Sequence, residues 1–174
     1  MLTGEPEYLD PLKDETPNGW IVTGYPWYGI QTPEHKAFYL AYHRKYGLAT
    51  RIARIFNTYG PRMQLDDGRI VPTLVEQALN GKPLTVYGTG RQTRSFCFVD
   101  DMVDGLYRLA SCTDPMPVNL GNPGEFTVLD LARKVLLRLG SDRPVVHRPL
   151  PVDDPRQRRP DISRAGRLLG WAPL

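Results

Sequence analysis

Asn57, Tyr87 and Arg94 carry the side chains in this sequence best suited to holding a phosphorylated ligand. Asn57 lies in RIFNTYGPR at residues 54–62, and Tyr87 and Arg94 lie in LTVYGTGRQTRSF at 84–96. In each segment an apolar stretch runs straight into a polar, glycine-bearing turn, which is how a sheet offers side chains and backbone amides to a ligand at a strand's end. The Asn57 amide can donate to a phosphate oxygen or bond its own turn. The Arg94 guanidinium can pair in a fork with a phosphate or with a surface acid. The Tyr87 ring can stack on a base, a contact of roughly 1 to 3 kcal/mol, or simply pack within its strand. Together the two segments outline a nucleotide-sugar site.

Other chemistries find less support. No glycine-rich strand-to-helix phosphate loop precedes these segments. The two cysteines, Cys97 and Cys112, lack the number of a disulfide framework and the spacing of a metal site, and are expected to be buried thiols. No apolar run approaches the roughly 20 residues of a membrane span, and the first residues lack the regions of a signal peptide, so a cytoplasmic address is the default expectation. The formal charge is +3, with Arg143, Arg148, Arg156, Arg158, Arg159, Arg164 and Arg167 crowded near the C-terminus. These alternate with Asp142, Asp153, Asp154 and Asp161, a pattern that fits a solvated surface with one or two arginines turned into an anion site better than a nucleic-acid face.

The elements that must position these residues follow from periodicity and caps. Residues 1–32 have no sustained period and form an irregular lead-in, and 33–174 form the ligand-binding portion. Pro33 opens a helix stopped by Gly47; a strand over 48–56 leads to Asn57; a helix over 71–79 ends at Asn80 and Gly81. Residues 84–87 form a short strand and 95–99 an extended run, after which Asp100 caps the helix carrying Met102, Leu106 and Leu109. A strand over 117–120, a helix capped by Thr127 and ended by Gly140, an extended stretch at 144–147 and a helix over 162–169 complete an α/β chain.

Read together, these segments resemble the extended short-chain dehydrogenase/reductase superfamily, also called the NAD-dependent epimerase/dehydratase superfamily, and within it the UDP-glucuronate decarboxylases, or UDP-xylose synthases. The likeness is carried by YHRKYG at 42–47, RIARIFNTYGPRM at 51–63, DDGRI at 66–70, QTRSFCFVDDMVDGL at 92–106, PVNLGNP at 117–123 and DDPRQRRPD at 153–161. It implies the C-terminal part of that fold, meaning the last strands of the dinucleotide-binding sheet plus the small substrate-binding α/β domain. It also implies a UDP-sugar ligand. Asn57 would bind the diphosphate, Thr85, Val86 and Tyr87 would line the uracil pocket, Arg94 would hold a phosphate, Arg158 would complete the clamp, and the backbone near Ile70 and Val71 would pass close by.

In the intact family, the resemblance implies, bound NAD oxidises the sugar C4 hydroxyl, the C5 carboxylate leaves as carbon dioxide, and hydride returns to C4. A tyrosine and a lysine four residues later on one helix serve that step; here the tyrosine position falls on Tyr28 and the lysine position on Thr32, with Lys36 a further turn away. Gly4 and Pro6 fall where the family's hydroxyl and glutamate are expected. With too few residues before Tyr28 to hold the NAD-binding half, hydride transfer lacks an acceptor, and this chain alone is expected to bind no NAD and to turn nothing over. Two expectations stay open: a half that works with an N-terminal dinucleotide-binding partner, or a non-catalytic UDP-sugar-binding or regulatory module that pairs with a full-length homologue. Strands left without their usual neighbours favour self-association.

Overall fold

The computed structural model describes residues 21–22, 33–65, 68–151 and 157–174, with the backbone alone for 21–22 and 33–39. Tyr28, Thr32 and residues 1–20 lie outside the described residues.

Helix α1 (Pro33–Tyr46) starts at the expected proline and ends with His43, Arg44 and Lys45 in its last turn, where cations complement the helix dipole. Strand β2 (Arg51–Ile55) follows, and its first three residues are buried in succession, as in a strand covered on both faces. It is the centre of a parallel sheet, flanked by β1 (Ile21–Val22) and β7 (Val118–Leu120), with Ala53 opposite Val118 and Ile55 opposite Leu120. Thus β1 lies within the segment expected to be irregular.

Helix α3 (Val99–Ser111) lays Met102, Gly105 and Leu109 on this sheet. The expected cap does not occur: Phe98 holds the N-cap position with extended backbone, and Asp100 and Asp101 sit within the first turn, where their charge still favours the N-terminus. The core here is Ala53, Cys97, Met102, Leu109, Val118, Leu120, Ala165 and Trp171. Trp171 is 2% exposed and donates its indole N–H to the Asp101 carbonyl at 3.0 Å, tying helix α5 (Ser163–Leu169) and the chain end onto α3. Of the two cysteines, Cys97 is buried and Cys112 only partly so.

A second core unites α2 (Ile70–Leu79), β4 (Leu84–Tyr87), α4 (Val128–Leu139) and β9 (Val145–Arg148) through Leu74, Ala78, Leu84, Val86, Val128 and Ala132. Thr127 caps α4 by accepting from the Asp130 N–H, and Gly140 ends it at φ 59°, both as the sequence predicts. β4 and β9 pair in parallel. Between the cores run two small ladders: β3 (Thr58–Tyr59) with β6 (Cys97–Phe98), and a three-stranded sheet in which β5 (Thr93–Ser95) is flanked by β8 (Glu125–Thr127) and β10 (Gln157–Arg158). No helix among the described residues is long and apolar enough to cross a membrane.

Candidate functional site

Strand β4 sets one wall of the site by its period of two. Leu84 and Val86 are fully buried, so Thr85 and Tyr87 turn to the other face, with Tyr87 46% exposed. Opposite them α2 presents Thr73 and Gln77, four residues apart on one helix face, with Leu74 beneath. Gln77 clamps Thr85 twice: its Oε1 accepts from the Thr85 N–H at 2.9 Å and its Nε2 donates to the Thr85 hydroxyl at 3.2 Å.

A cleft of about 430 Å³ opens between these walls, lined also by Ile70, Gln92, Arg94 and Arg148. The turn that closes it depends on glycine. Gly90 has φ 72°, and a Cβ there would lie 2.7 Å from Val86 Cγ1 and 3.0 Å from Leu129 Cβ. That tight return lets Gln92 donate to the Tyr87 carbonyl at 2.9 Å and brings β5 alongside.

Arg94 is 8% exposed, and its Nη1 donates to the Thr93 carbonyl at 2.8 Å. Its register partners are Arg158 on β10 and Phe126 on β8, so these three share one face of the small sheet. Glu125 belongs to the other face. There it accepts from the Thr93 hydroxyl at 2.7 Å and from Gln157, and those hydrogen bonds, Thr93's foremost, hold its carboxyl below the usual range. The Ser95 hydroxyl donates to the Arg158 carbonyl at 3.0 Å and fixes the two strands together.

Thr85, Tyr87 and Arg94 therefore meet in one cleft, together with Ile70. Val71 is the next residue of the same helix start, half-buried and outside the lining. Asn57 follows β2, and its carbonyl accepts from the Cys97 N–H at 2.8 Å, which joins that strand end to the run carrying Arg94. Neither Asn57 nor Arg158 lines the cleft. Among the described residues, no three His, Cys, Asp or Glu gather as a metal site.

Four lining residues were not singled out from sequence: Thr73, Gln77, Gln92 and Arg148. The polar pair Thr73 and Gln77, spaced by four within a helix otherwise apolar at Ile70, Leu74 and Ala78, is a signal that could have been read. Arg148, one of the crowded tail arginines, reaches the cleft because β9 sets it beside Tyr87. The remaining tail arginines largely follow the expectation, with Arg164 bonded to Asp114 at 2.6 Å and Arg143 and Arg159 near Asp142 and Glu125.

A family model described as the NAD dependent epimerase/dehydratase family matches residues 27–121. UDP-glucuronic acid decarboxylase 3 of Arabidopsis thaliana is 55% identical over 132 residues, which are 76% of this chain and 39% of that protein. The fold is similar to that of UDP-glucose 4-epimerase from Thermotoga maritima, solved with UDP-glucose, at a TM-score of 0.79 and 28% identity over 84% of this chain and 48% of that one. It is also similar to UDP-glucuronic acid 4-epimerase from Bacillus cereus, solved with UDP-glucuronic acid and NAD, at a TM-score of 0.75 and 27% identity over 88% of this chain and 50% of that one. The chain thus spans half or less of the length of each of these relatives.

Proposed function

The chain belongs to the NAD dependent epimerase/dehydratase family, and from that premise we propose that it is the nucleotide-sugar-binding portion of a UDP-glucuronate decarboxylase-like enzyme, seating a UDP-sugar in the cleft between α2 and β4. The observation that carries this is the lining itself, which among the described residues has two guanidinium groups, no carboxylate, an aromatic ring, and a strand edge with backbone polar groups. An anion needs the first two features and a base the last two.

On this reading Thr85 and Tyr87 hold the uracil in the cleft, Arg94 holds the diphosphate at its edge, the start of α2 at Ile70 and Val71 passes beside the ligand, and the diphosphate reaches past the cleft lining towards Arg158 and Asn57. That helix start has no side-chain cap and no acid in its first turn, which suits it to a neighbouring anion. The relatives named as UDP-glucuronic acid decarboxylases and the epimerases solved with UDP-sugars support the ligand class.

NAD, which the family name implies, is a different matter. A dinucleotide pyrophosphate sits at a glycine-rich junction from strand to helix. The junctions here that run directly from strand to helix, Phe98 to Val99 and Thr127 to Val128, are followed by Asp100 and Asp101 and by Asp130 in the first helical turn, charges that oppose a pyrophosphate. The described residues do not fit NAD, and no hydride step is assigned to them. The chain holds the sugar nucleotide, and a dinucleotide-binding half or a full-length homologue supplies the rest.

Calorimetric titration of the full chain with UDP-glucuronate, UDP and NAD, each separately, tests this. Saturable binding of the uridine ligands, weakened in Arg94→Ala, is the expected result. Uridine ligands binding no better than inorganic pyrophosphate would overturn it.

A further inference from the structure

The free edge of β4 carries a hydrogen-bonding polarity that a neighbouring side chain sets. Leu84 and Gly88 donate their backbone N–H groups to Pro144 and Arg148. In a parallel ladder alternate residues turn to the same neighbour, so Thr85 and Tyr87 turn theirs to the edge that no strand pairs among the described residues. Gln77 takes the Thr85 N–H and Gln92 takes the Tyr87 carbonyl. Between them lie the Thr85 carbonyl, an acceptor, and the Tyr87 N–H, a donor.

Gln77 also decides what the Thr85 hydroxyl can do. A backbone N–H only donates, so the Gln77 oxygen must face it, and Nε2 must then face the hydroxyl. An amide nitrogen offers hydrogens and no acceptor. Thr85 Oγ1 is therefore the acceptor in that bond, and its single proton is left for the cleft.

We propose that Gln77 is a specificity-determining residue that fixes the Thr85 hydroxyl as a donor and thereby selects uracil over cytosine. The strand then presents donor, acceptor, donor: the Thr85 O–H, the Thr85 carbonyl and the Tyr87 N–H. Uracil offers the complement in O4, N3–H and O2. Cytosine opposes the first two with an amino group and an unprotonated ring nitrogen, leaving two groups unsatisfied, and a site built for hydrogen bonds rejects such a ligand strongly. This inference rests on the UDP-sugar reading of the cleft.

The test is titration of wild type, Gln77→Glu and Thr85→Val with UDP, CDP and inorganic pyrophosphate. A carboxylate at position 77 accepts from both the Thr85 N–H and the Thr85 hydroxyl, so the hydroxyl turns its lone pairs to the cleft. The expected result is a UDP-over-CDP preference that falls about tenfold in Gln77→Glu, as one hydrogen bond is lost for UDP and one gained for CDP, while the added charge weakens UDP, CDP and pyrophosphate alike and so leaves that ratio to report the hydroxyl. Thr85→Val, nearly isosteric, removes the hydroxyl and its bond from Gln77 Nε2 while keeping the backbone bond to Gln77 Oε1, lowers the preference, and decides the matter if Gln77→Glu does not fold. In the double variant the preference equals that of Thr85→Val alone, a coupling that general loosening of the fold does not produce. A preference for UDP that survives both single substitutions overturns the inference and leaves the cleft's ligand class standing. Wild type binding UDP no better than pyrophosphate overturns both.

Discussion

Arg94 and Arg158 stand opposite one another across the parallel β5–β10 ladder, on the sheet face turned away from Glu125. Register-paired arginines on one sheet face can share a ligand whose charge lies between them. On the proposed reading, Arg94→Ala and Arg158→Ala each weaken UDP-glucuronate by about tenfold or more, the loss of a charge-assisted hydrogen bond of about 1.5 to 3 kcal/mol. The double substitution costs less than the sum of the two. Calorimetry on the three variants checks both statements, and strict additivity would mean that the arginines do not share an anion.

Gly90 is required by shape as well as by φ. Gly90→Ala places a methyl against Val86 and Leu129 in a left-handed backbone and destabilises by about 1 to 3 kcal/mol. Gly47 has a similar φ of 68° but open space around it, so Gly47→Ala costs about 1 to 2 kcal/mol from backbone alone. Thermal denaturation of both separates crowding from strain, with Gly90→Ala the lower Tm.

Glu125 gives the chain an acid-sensitive joint. Its carboxyl is depressed below its ordinary 4.5 by the Thr93 hydroxyl first and the Gln157 amide second. A depressed acid contributes stability that is present above its unfolded pKa and lost as pH falls through the folded one. The Tm of the wild type is therefore expected to drop more steeply below about pH 4.5 than that of Glu125→Gln, whose profile is flatter. Parallel profiles would show that the network does not discriminate the ionised form.

Cys97 is kept neutral by its surroundings. Burial, aided by the Asp101 carboxylate, pushes the thiol up to about 11. A thiol-specific reagent at mildly alkaline pH labels Cys112 in the native chain and reaches Cys97 only on unfolding. Because the raised thiol favours the folded state below the unfolded pKa, stability falls as pH rises beyond its ordinary 9.0. Labelling of Cys97 at the rate of Cys112 would show that its cover opens easily.

Local chemistry was legible wherever a single residue type forced the outcome. Thr127 with Asp130, Gly140 at positive φ and the alternation through Leu84, Thr85, Val86 and Tyr87 all appear as the sequence implies. The expected ligand residues Thr85, Tyr87 and Arg94 converge for the same reason, since each sits at a strand position whose face is fixed by buried neighbours. What was not legible depends on distant partners. Gln157 and Arg158 form a strand only because β5 lies beside them, and Arg148 turns to the cleft only because β9 aligns it with Tyr87. Asp100 gave way at the cap because β6 runs to Phe98 and hands the chain directly to α3.

The long-range parallel pairings have a consequence for how the chain comes into being. Ala53 waits for Val118, Leu84 for Val145, and Ser95 for a carbonyl 63 positions later. None of these pairings can form as a hairpin, so the entropy of closing large loops is met before any sheet exists, and folding belongs to the slow, non-local regime of milliseconds to seconds. Trp171, whose indole seals the first core, arrives last of all. On a ribosome β2 emerges long before β7, and a chain stopped before Trp171 lacks the tryptophan on which α3 and α5 close.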